Sequence, residues 1–294
     1  MGVTRSFCIA VALVAAMPAR AHDLGVATQA PGWTWDVWIT GPLGLSLALF
    51  LAGWVRLRRR SGPGAAQLSR RALLFVIGWA VLAFALVSPL HQLGERSFAA
   101  HMFEHELLML AAAPLLVLAR PLAILLWAFP ASARRGLGSA GGAVLPAWRA
   151  AIAPVPATLL QAAALWLWHA PSLFDRALAN ETWHAVQHLS FLVSALLFWT
   201  AMFARTTPRG TAALCLFATS LVSGALGALM AFAMSPWYAR YAAMGMAPFG
   251  LSPLEDQQLA GLLMWVPGGM VHAGAALIVV HALLGRSHEA SHAV

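Results

Sequence analysis

Histidine is the residue type in this chain with the greatest capacity for chemistry, and its eleven copies are unevenly placed. Two pairs have i, i+4 spacing: His101 with His105, and His184 with His188. On a helix, this spacing puts two imidazoles on the same face, one turn apart. Because imidazole is the commonest metal ligand near neutral pH, each pair predicts part of a metal site.

Two further residues are candidate ligands beside these pairs. His169 ends another apolar segment. Met109 continues the face of His101 and His105, although it lies ~12 Å below His101 along a helix axis and needs other helices to share an ion with it. A thioether beside imidazoles favours copper, especially Cu(I), over magnesium or calcium. Cysteine offers no copper site, because Cys215 stands alone within an apolar segment.

Other interpretations of the same histidines stay open. They could serve only in structural hydrogen bonds, or paired histidines on different helices could bind a haem in a membrane redox protein. A copper permease is a third alternative, and it would need a polar path through the bundle, for which the inner half offers few ligands beyond His272 and His281. The acids Glu104 and Glu106 could orient a ligating imidazole, or simply favour a helix N-terminus. We find no nucleotide-binding glycine loop and no nucleophile–base pair, so we do not expect an enzyme.

The elements that position these side chains are predicted to be membrane helices. The chain of 294 residues is 61% hydrophobic and only 10% charged, whereas soluble domains carry about 25% charged residues. Several apolar runs reach the ~20 residues that cross a bilayer. A spanning backbone must satisfy its own hydrogen bonds, which predicts an all-α integral membrane protein.

The chain divides into a leader and seven predicted spans. Residues 1–21 have the charged start, apolar centre and A-x-A-like end of a secretion signal, and residues 22–36 would follow it outside the cytoplasm. The region 37–284 forms the predicted seven-helix membrane domain, and 285–294 the cytoplasmic tail. The spans are residues 37–55, 72–90, 98–118, 156–168, 183–203, 212–234 and 259–284.

Arginine predicts the orientation of the bundle in a bacterial plasma membrane. With the mature N-terminus outside and the C-terminus in the cytoplasm, thirteen arginines fall in inner loops, and only Arg96, Arg176 and Arg240 in outer ones. The positive-inside rule favours this arrangement. The net charge of +8 therefore reflects topology, and we expect no nucleic-acid partner. In this orientation both histidine pairs lie at or near the outer face, together with His22, His91 and His169.

Several blocks of the sequence resemble the CtaG-like membrane proteins that assist assembly of caa3-type cytochrome c oxidase. The most specific is residues 254–270, LEDQQLAGLLMWVPGGM, whose acids and amides are predicted to face water at the mouth of the last span. Residues 101–121 resemble the family's central motif, and HAPSLF at 169–174 its middle. His91 follows Ser-Pro-Leu where an acidic residue is expected, which leaves the role of that position open.

The resemblance implies a multi-pass plasma-membrane protein needed to make active cytochrome c oxidase, with oxidase subunits as partners and copper as the cofactor it handles. From the residues and the resemblance together, we expect an outer-facing site that accepts copper and passes it to an oxidase subunit. The expected ligands are His101, His105, His184 and His188, supported by His169 and Met109.

Overall fold

The computed structural model describes residues 30–60, 62, 64–139 and 141–291, so the predicted secretion signal lies outside the described residues. Within these ranges the fold is all-α and contains no strand, which confirms the predicted helical class. Six helices are long and apolar enough to cross a membrane, and a bent pair raises the number to seven. In chain order they are α1 (Val37–Arg58), α2 (Ala65–Val87), α3 (Phe98–Ala119), α4 (Pro154–Trp168), α5 (Glu181–Phe203), α6 (Arg209–Ala231) and α7 (Pro253–Ser291).

The fourth predicted span is the one that is broken. A preceding helix, Gly141–Ala151, meets α4 at a bend of 74°. The cause is local: Pro154 opens α4, and the backbone of Ala153 before it is extended, as a residue preceding proline prefers. With 15 residues, α4 alone is shorter than the ~20 residues needed to cross a bilayer.

The second predicted span ends earlier than residue 90. Helix α2 ends at Val87 because the backbone of Ser88 is extended. The Ser88 hydroxyl accepts a hydrogen bond from the amide of Leu90. A short helix, Pro89–Gly94, then covers this end of the bundle. It joins the short helices Pro171–Ala179 and Ala239–Met244 in the loops that cap the start of α3 and α5.

Helices α6 and α7 approach each other at two glycines. A Cβ on Gly227 would lie 2.7 Å from the backbone oxygen of Gly261, and one on Gly261 would lie 2.5 Å from the oxygen of Gly227. Both separations are shorter than any real Cβ contact, so larger residues at this crossing would push the helices apart. Small residues at a crossing are the usual means of close packing in membranes.

The polar start of α7 is buried and hydrogen-bonded inside the protein. The prediction that its polar groups face water is therefore wrong for Asp256 and Gln257. Both are 2% exposed. The Asp256 carboxylate accepts hydrogen bonds from the Ser97 hydroxyl at 2.7 Å and the Phe98 amide at 2.5 Å. Gln257 accepts from the amide of Trp237 at 2.6 Å. The start of α7 is therefore tied to the first residues of α3.

Candidate metal centre

Three imidazoles converge near the beginning of α3 and α5. One ring nitrogen from each of His101, His105 and His188 lies within 4.8 Å of the other two. All three residues are buried. The Nε2 atoms of His101 and His105 are 3.1 Å apart, close to the ~3.3 Å that separates two ligands on a tetrahedral ion with bonds of ~2.0 Å. This set, which we call the inner triad, has the donor chemistry and spacing of a metal site.

The start of α3 places two of these ligands. Ser97 is the N-cap, and its hydroxyl accepts from the amide of Ala100. The Asp256 carboxylate adds bonds from this first turn, where exposed amides and the helix dipole favour negative charge. Because this turn is fixed, the i, i+4 spacing sends His101 and His105 to the same face.

A tyrosine sets the protonation of His101. The Tyr241 hydroxyl donates to the carbonyl of Gly94 at 2.5 Å, so its oxygen accepts from the Nδ1–H of His101 at 3.1 Å. Burial raises the pKa of Tyr241 well above its ordinary value, and the charges of Asp256 and Glu104 raise it further. The hydroxyl therefore stays protonated. With Nδ1 protonated, the lone pair of His101 lies on Nε2 and points at His105, which is how ligating histidines are usually held.

A second group of ligand atoms lies beside the first. Single ligand atoms of His91, Glu104 and His188 also lie within 4.8 Å of one another. The Nδ1 atom of His91 donates to Glu104 Oε1 at 2.8 Å, and His188 Nε2 lies 3.7 Å from the same oxygen. We call this set the outer triad. Both triads include His188, and a neutral imidazole has one lone pair, so a single ion would occupy one triad at a time.

The charge of Glu104 controls the state of His91. Burial alone would lower the pKa of the His91 imidazole, but the charge of Glu104 and the hydrogen bond with it raise that pKa above the ordinary value. A metal ion bound by the outer triad would therefore replace a proton on His91.

The other sequence-predicted ligands lie around the inner triad without joining it. His184 packs against His188, with ring centroids 4.3 Å apart. His169 donates from Nδ1 to the carbonyl of Leu165 at 2.7 Å, and its Nε2 lies 3.3 Å from the sulfur of Met102.

Met109 is directed elsewhere in the bundle. Its sulfur accepts from the Nε2 of Gln161 at 3.6 Å. Its backbone lies in a π-helical stretch, Leu107–Ala112. Residue 114 is proline and has no N–H to offer the Met109 carbonyl, which instead accepts from the indole Nε1 of Trp199 at 2.9 Å.

Sequence reasoning missed His91 and Tyr241 as parts of the site. Nothing in their spacing links them to the histidine pairs, because loops bring them in from both sides of α3. Two signals pointed to His91: its predicted place near the outer face, and its replacement of an expected acid. Glu104 was considered as an orienting group, and the structure places it between His91 and His188. Glu106 lies at the end of the α-helical segment Phe98–Glu106, so the helix N-terminus does not explain it.

Orphaned buried atoms show that these residues fit an ion. The Nε2 of His188 and the Oε2 of Glu104 are buried without a hydrogen-bond partner. Buried polar atoms normally have partners, so each of these is a place for a ligand. The rings of His101 and His105 are in direct contact, with centroids 4.4 Å apart, which suits one small ion bound by both.

The fold and this cluster define a multispanning membrane protein with a buried His/Glu group able to hold a metal ion. The chain belongs to the family of cytochrome c oxidase caa3 assembly factors (Caa3_CtaG), whose model matches residues 48–285. The match covers both triads and Tyr241. No curated protein matched the chain, and no solved structure matched it.

Proposed function

We propose that this protein assists cytochrome c oxidase assembly by holding a copper ion at the inner triad and passing it to an oxidase subunit. The observation that carries the proposal is the convergence of His101, His105 and His188 within 4.8 Å in a chain of this family. Imidazole suits zinc, copper, iron and nickel. Copper is chosen because the family resemblance ties this protein to an oxidase that needs it. In this role the protein is a carrier and not an enzyme.

Electrostatics supports an ion of low charge. The inner triad has three neutral ligands, and the Glu104 carboxylate lies 3.7 Å from His188 Nε2. A buried charge in a membrane bundle requires an opposite charge nearby. With His91 neutral, Cu(I) beside Glu104 gives a net charge of zero, whereas a divalent ion would leave one positive charge uncompensated.

The shared ligand supports loading and release by ligand exchange. An ion held by His91, Glu104 and His188 reaches the inner triad when His101 and His105 replace His91 and Glu104, while His188 stays bound. The reverse exchange brings the ion back toward the loops. No electron is transferred in either direction, and the proton displaced from His91 goes to water.

The proposed orientation puts the metal centre at the outer face of a bacterial plasma membrane. The arginine distribution, thirteen in inner loops and three in outer ones, supports it. The short helices around Gly94 and Tyr241 would then face the periplasmic side, where the copper-bearing part of an oxidase subunit would dock.

Copper binding to the detergent-purified full chain tests the proposal. The native protein and its variants are loaded with Cu(I) under reducing conditions, and their copper content is then measured. His105→Ala and His188→Ala should each hold one copper ion per chain fewer than the native protein. Because removing one of three ligands weakens the site, oxidase activity should fall at least tenfold in cells that carry either variant.

His169→Ala is the matched control, because it removes a buried imidazole whose ring nitrogens contact the Leu165 carbonyl and the Met102 sulfur. It should keep its copper at the inner triad. If His105→Ala and His188→Ala retain both native copper content and native oxidase activity, the proposal is wrong.

A further inference from the structure

A small cavity with a largely apolar lining and a few polar side chains lies deeper in the bundle, away from the inner triad. Its volume is about 20 Å³, enough for one water molecule or one ion of similar size. Four helices line it: α3, α4, α6 and α7. The lining residues that carry polar or sulfur atoms are Glu106, Met109, Gln161, Thr219, Ser223 and His272.

The polar atoms of the lining include several hydrogen-bond acceptors that have no partner. The Nδ1–H of His272 donates to the carbonyl of Gly268 at 2.8 Å, which leaves the lone pair on Nε2. That atom, the Oε2 of Glu106 and the Oε1 of Gln161 are buried without hydrogen-bond partners. His272 is 3% exposed and Gln161 6%. Three acceptors thus line one cavity.

The groups that could donate into the cavity are already engaged. The Thr219 hydroxyl donates to the carbonyl of Cys215 at 2.9 Å, and Ser223 donates to the carbonyl of Thr219 at 2.8 Å. The Gln161 amide nitrogen donates to the sulfur of Met109. With the Glu106 carboxyl group ionised, the described polar side chains of the cavity offer acceptors and no free donor, and such a lining suits a cation.

We propose that this cavity is a second copper(I) site, held by Glu106, His272 and Met109 with the Gln161 carbonyl beside them. Thioether and imidazole favour a soft ion over sodium, magnesium or calcium. One carboxylate balances one positive charge, which meets the cost of burying an ion. The choice of copper rests on the proposed function, whereas the preference for a cation does not.

The site gives the protein two metal positions at different depths of one helix. His105 and Glu106 are neighbours in the chain, and their side chains leave α3 toward different helices: His105 toward α5 and Glu106 toward Gly268 of α7. A Cβ on Gly268 would lie 3.3 Å from Glu106 Oε2, so the glycine leaves room for the carboxyl group.

Copper stoichiometry tests the inference on the detergent-purified full chain. After loading with Cu(I) alone, the native protein should hold two copper ions, and Glu106→Gln should hold one. Gln keeps the size of the side chain but removes the charge. His105→Ala should also hold one, and the double variant none. Glu255→Gln, which changes an exposed carboxylate at the start of α7, is the control and should hold two.

The outcomes separate the two proposals. If His105→Ala keeps both ions while Glu106→Gln loses one, the second site stands and the proposed function falls. A copper content that is equal in the native protein and Glu106→Gln overturns the second site. So does an infrared carboxylic-acid band of Glu106 that is the same with and without copper, because the carboxyl group then holds only a proton. Should Glu106→Gln fail to fold, His272→Gln replaces it with the same expectation.

Discussion

Tyr241 shows how one hydroxyl orients a buried imidazole. It donates to Gly94 and accepts from His101, and burial keeps it protonated. Without this acceptor, the Nδ1–H of His101 would be buried and unsatisfied, at a cost of about 1–3 kcal/mol. The hydroxyl therefore determines which nitrogen of His101 faces the inner triad, although Tyr241 itself binds no metal.

Tyr241→Phe is expected to weaken copper binding at the inner triad by roughly 10-fold, the lower end of the effect of losing a partner of a ligating histidine. Competition with a Cu(I) chelator measures the affinity. Tyr238→Phe is the matched control, since the Tyr238 hydroxyl donates to the backbone carbonyl of His169 at 3.1 Å. Equal affinities in the two variants would show that Tyr241 does not position His101.

At the residue scale, the sequence predicted those parts of the site that follow helical spacing. His101 and His105 lie four residues apart on one helix, and the structure brings them together with His188. Helical spacing in the sequence did not predict His91 or Tyr241, because loop contacts depend on how separate helices pack. Met109 shared the correct helical face, but the π-helical stretch and Gln161 place its sulfur at the deeper cavity.

Helix α3 is held at its first turn by a residue from α7. Asp256 accepts from Ser97, Phe98 and Ala99, and these contacts span more than 150 positions of the chain. They fix the axial position of α3, and with it the height of His101 and His105. The conspicuous polar block at 254–258 is therefore structural support for the metal centre.

Asp256→Ala is expected to destabilise the fold by about 2 kcal/mol, because it removes a buried cap and leaves donors of the first turn of α3 unsatisfied. Thermal unfolding in detergent, followed by circular dichroism, measures the loss. Glu255→Ala is the control, because Glu255 is exposed and its carboxylate accepts hydrogen bonds from the neighbouring Ser252. A melting temperature as high in Asp256→Ala as in Glu255→Ala would contradict this role.

At the element scale, the length of the apolar runs predicted where the spans lie. Proline and capping residues explain the two places where the predicted span bounds were wrong. The break before α4 follows from Pro154, and the early end of α2 follows from Ser88. The glycine crossing of α6 and α7 was not predicted, since a glycine in a membrane helix does not by itself identify its partner. Close approach becomes visible only when both backbones are placed.

For the whole molecule, the orientation is the property that charge predicts best. Cysteines at Met244 and Arg135, both on exposed loop-side positions at opposite ends of the proposed topology, test it in a cysteine-free background. A membrane-impermeant maleimide should label Met244→Cys in intact cells and Arg135→Cys only after lysis, because the proposed orientation puts the arginine-rich loops in the cytoplasm. The reverse labelling pattern would contradict the orientation.

The arrangement of helices around the metal centre could not be predicted for the molecule as a whole. Three helices that bear histidine at a similar height need not be neighbours, and the structure places α3 beside α5 while α4 contributes His169 behind Met102. Local spacing determines the face of a helix, whereas the packing of the whole bundle determines which faces meet.

The π-helical stretch in α3 gives the two proposed copper sites a common mechanical link. It directly follows His105 and Glu106 in the chain. The indole of Trp199 donates to the Met109 carbonyl of this stretch and stacks on His272, with ring centroids 5.7 Å apart. We expect an ion that shifts this stretch at one depth to change the geometry at the other. By thermodynamic linkage, the factor by which the first ion alters affinity for the second is the factor by which the second alters affinity for the first.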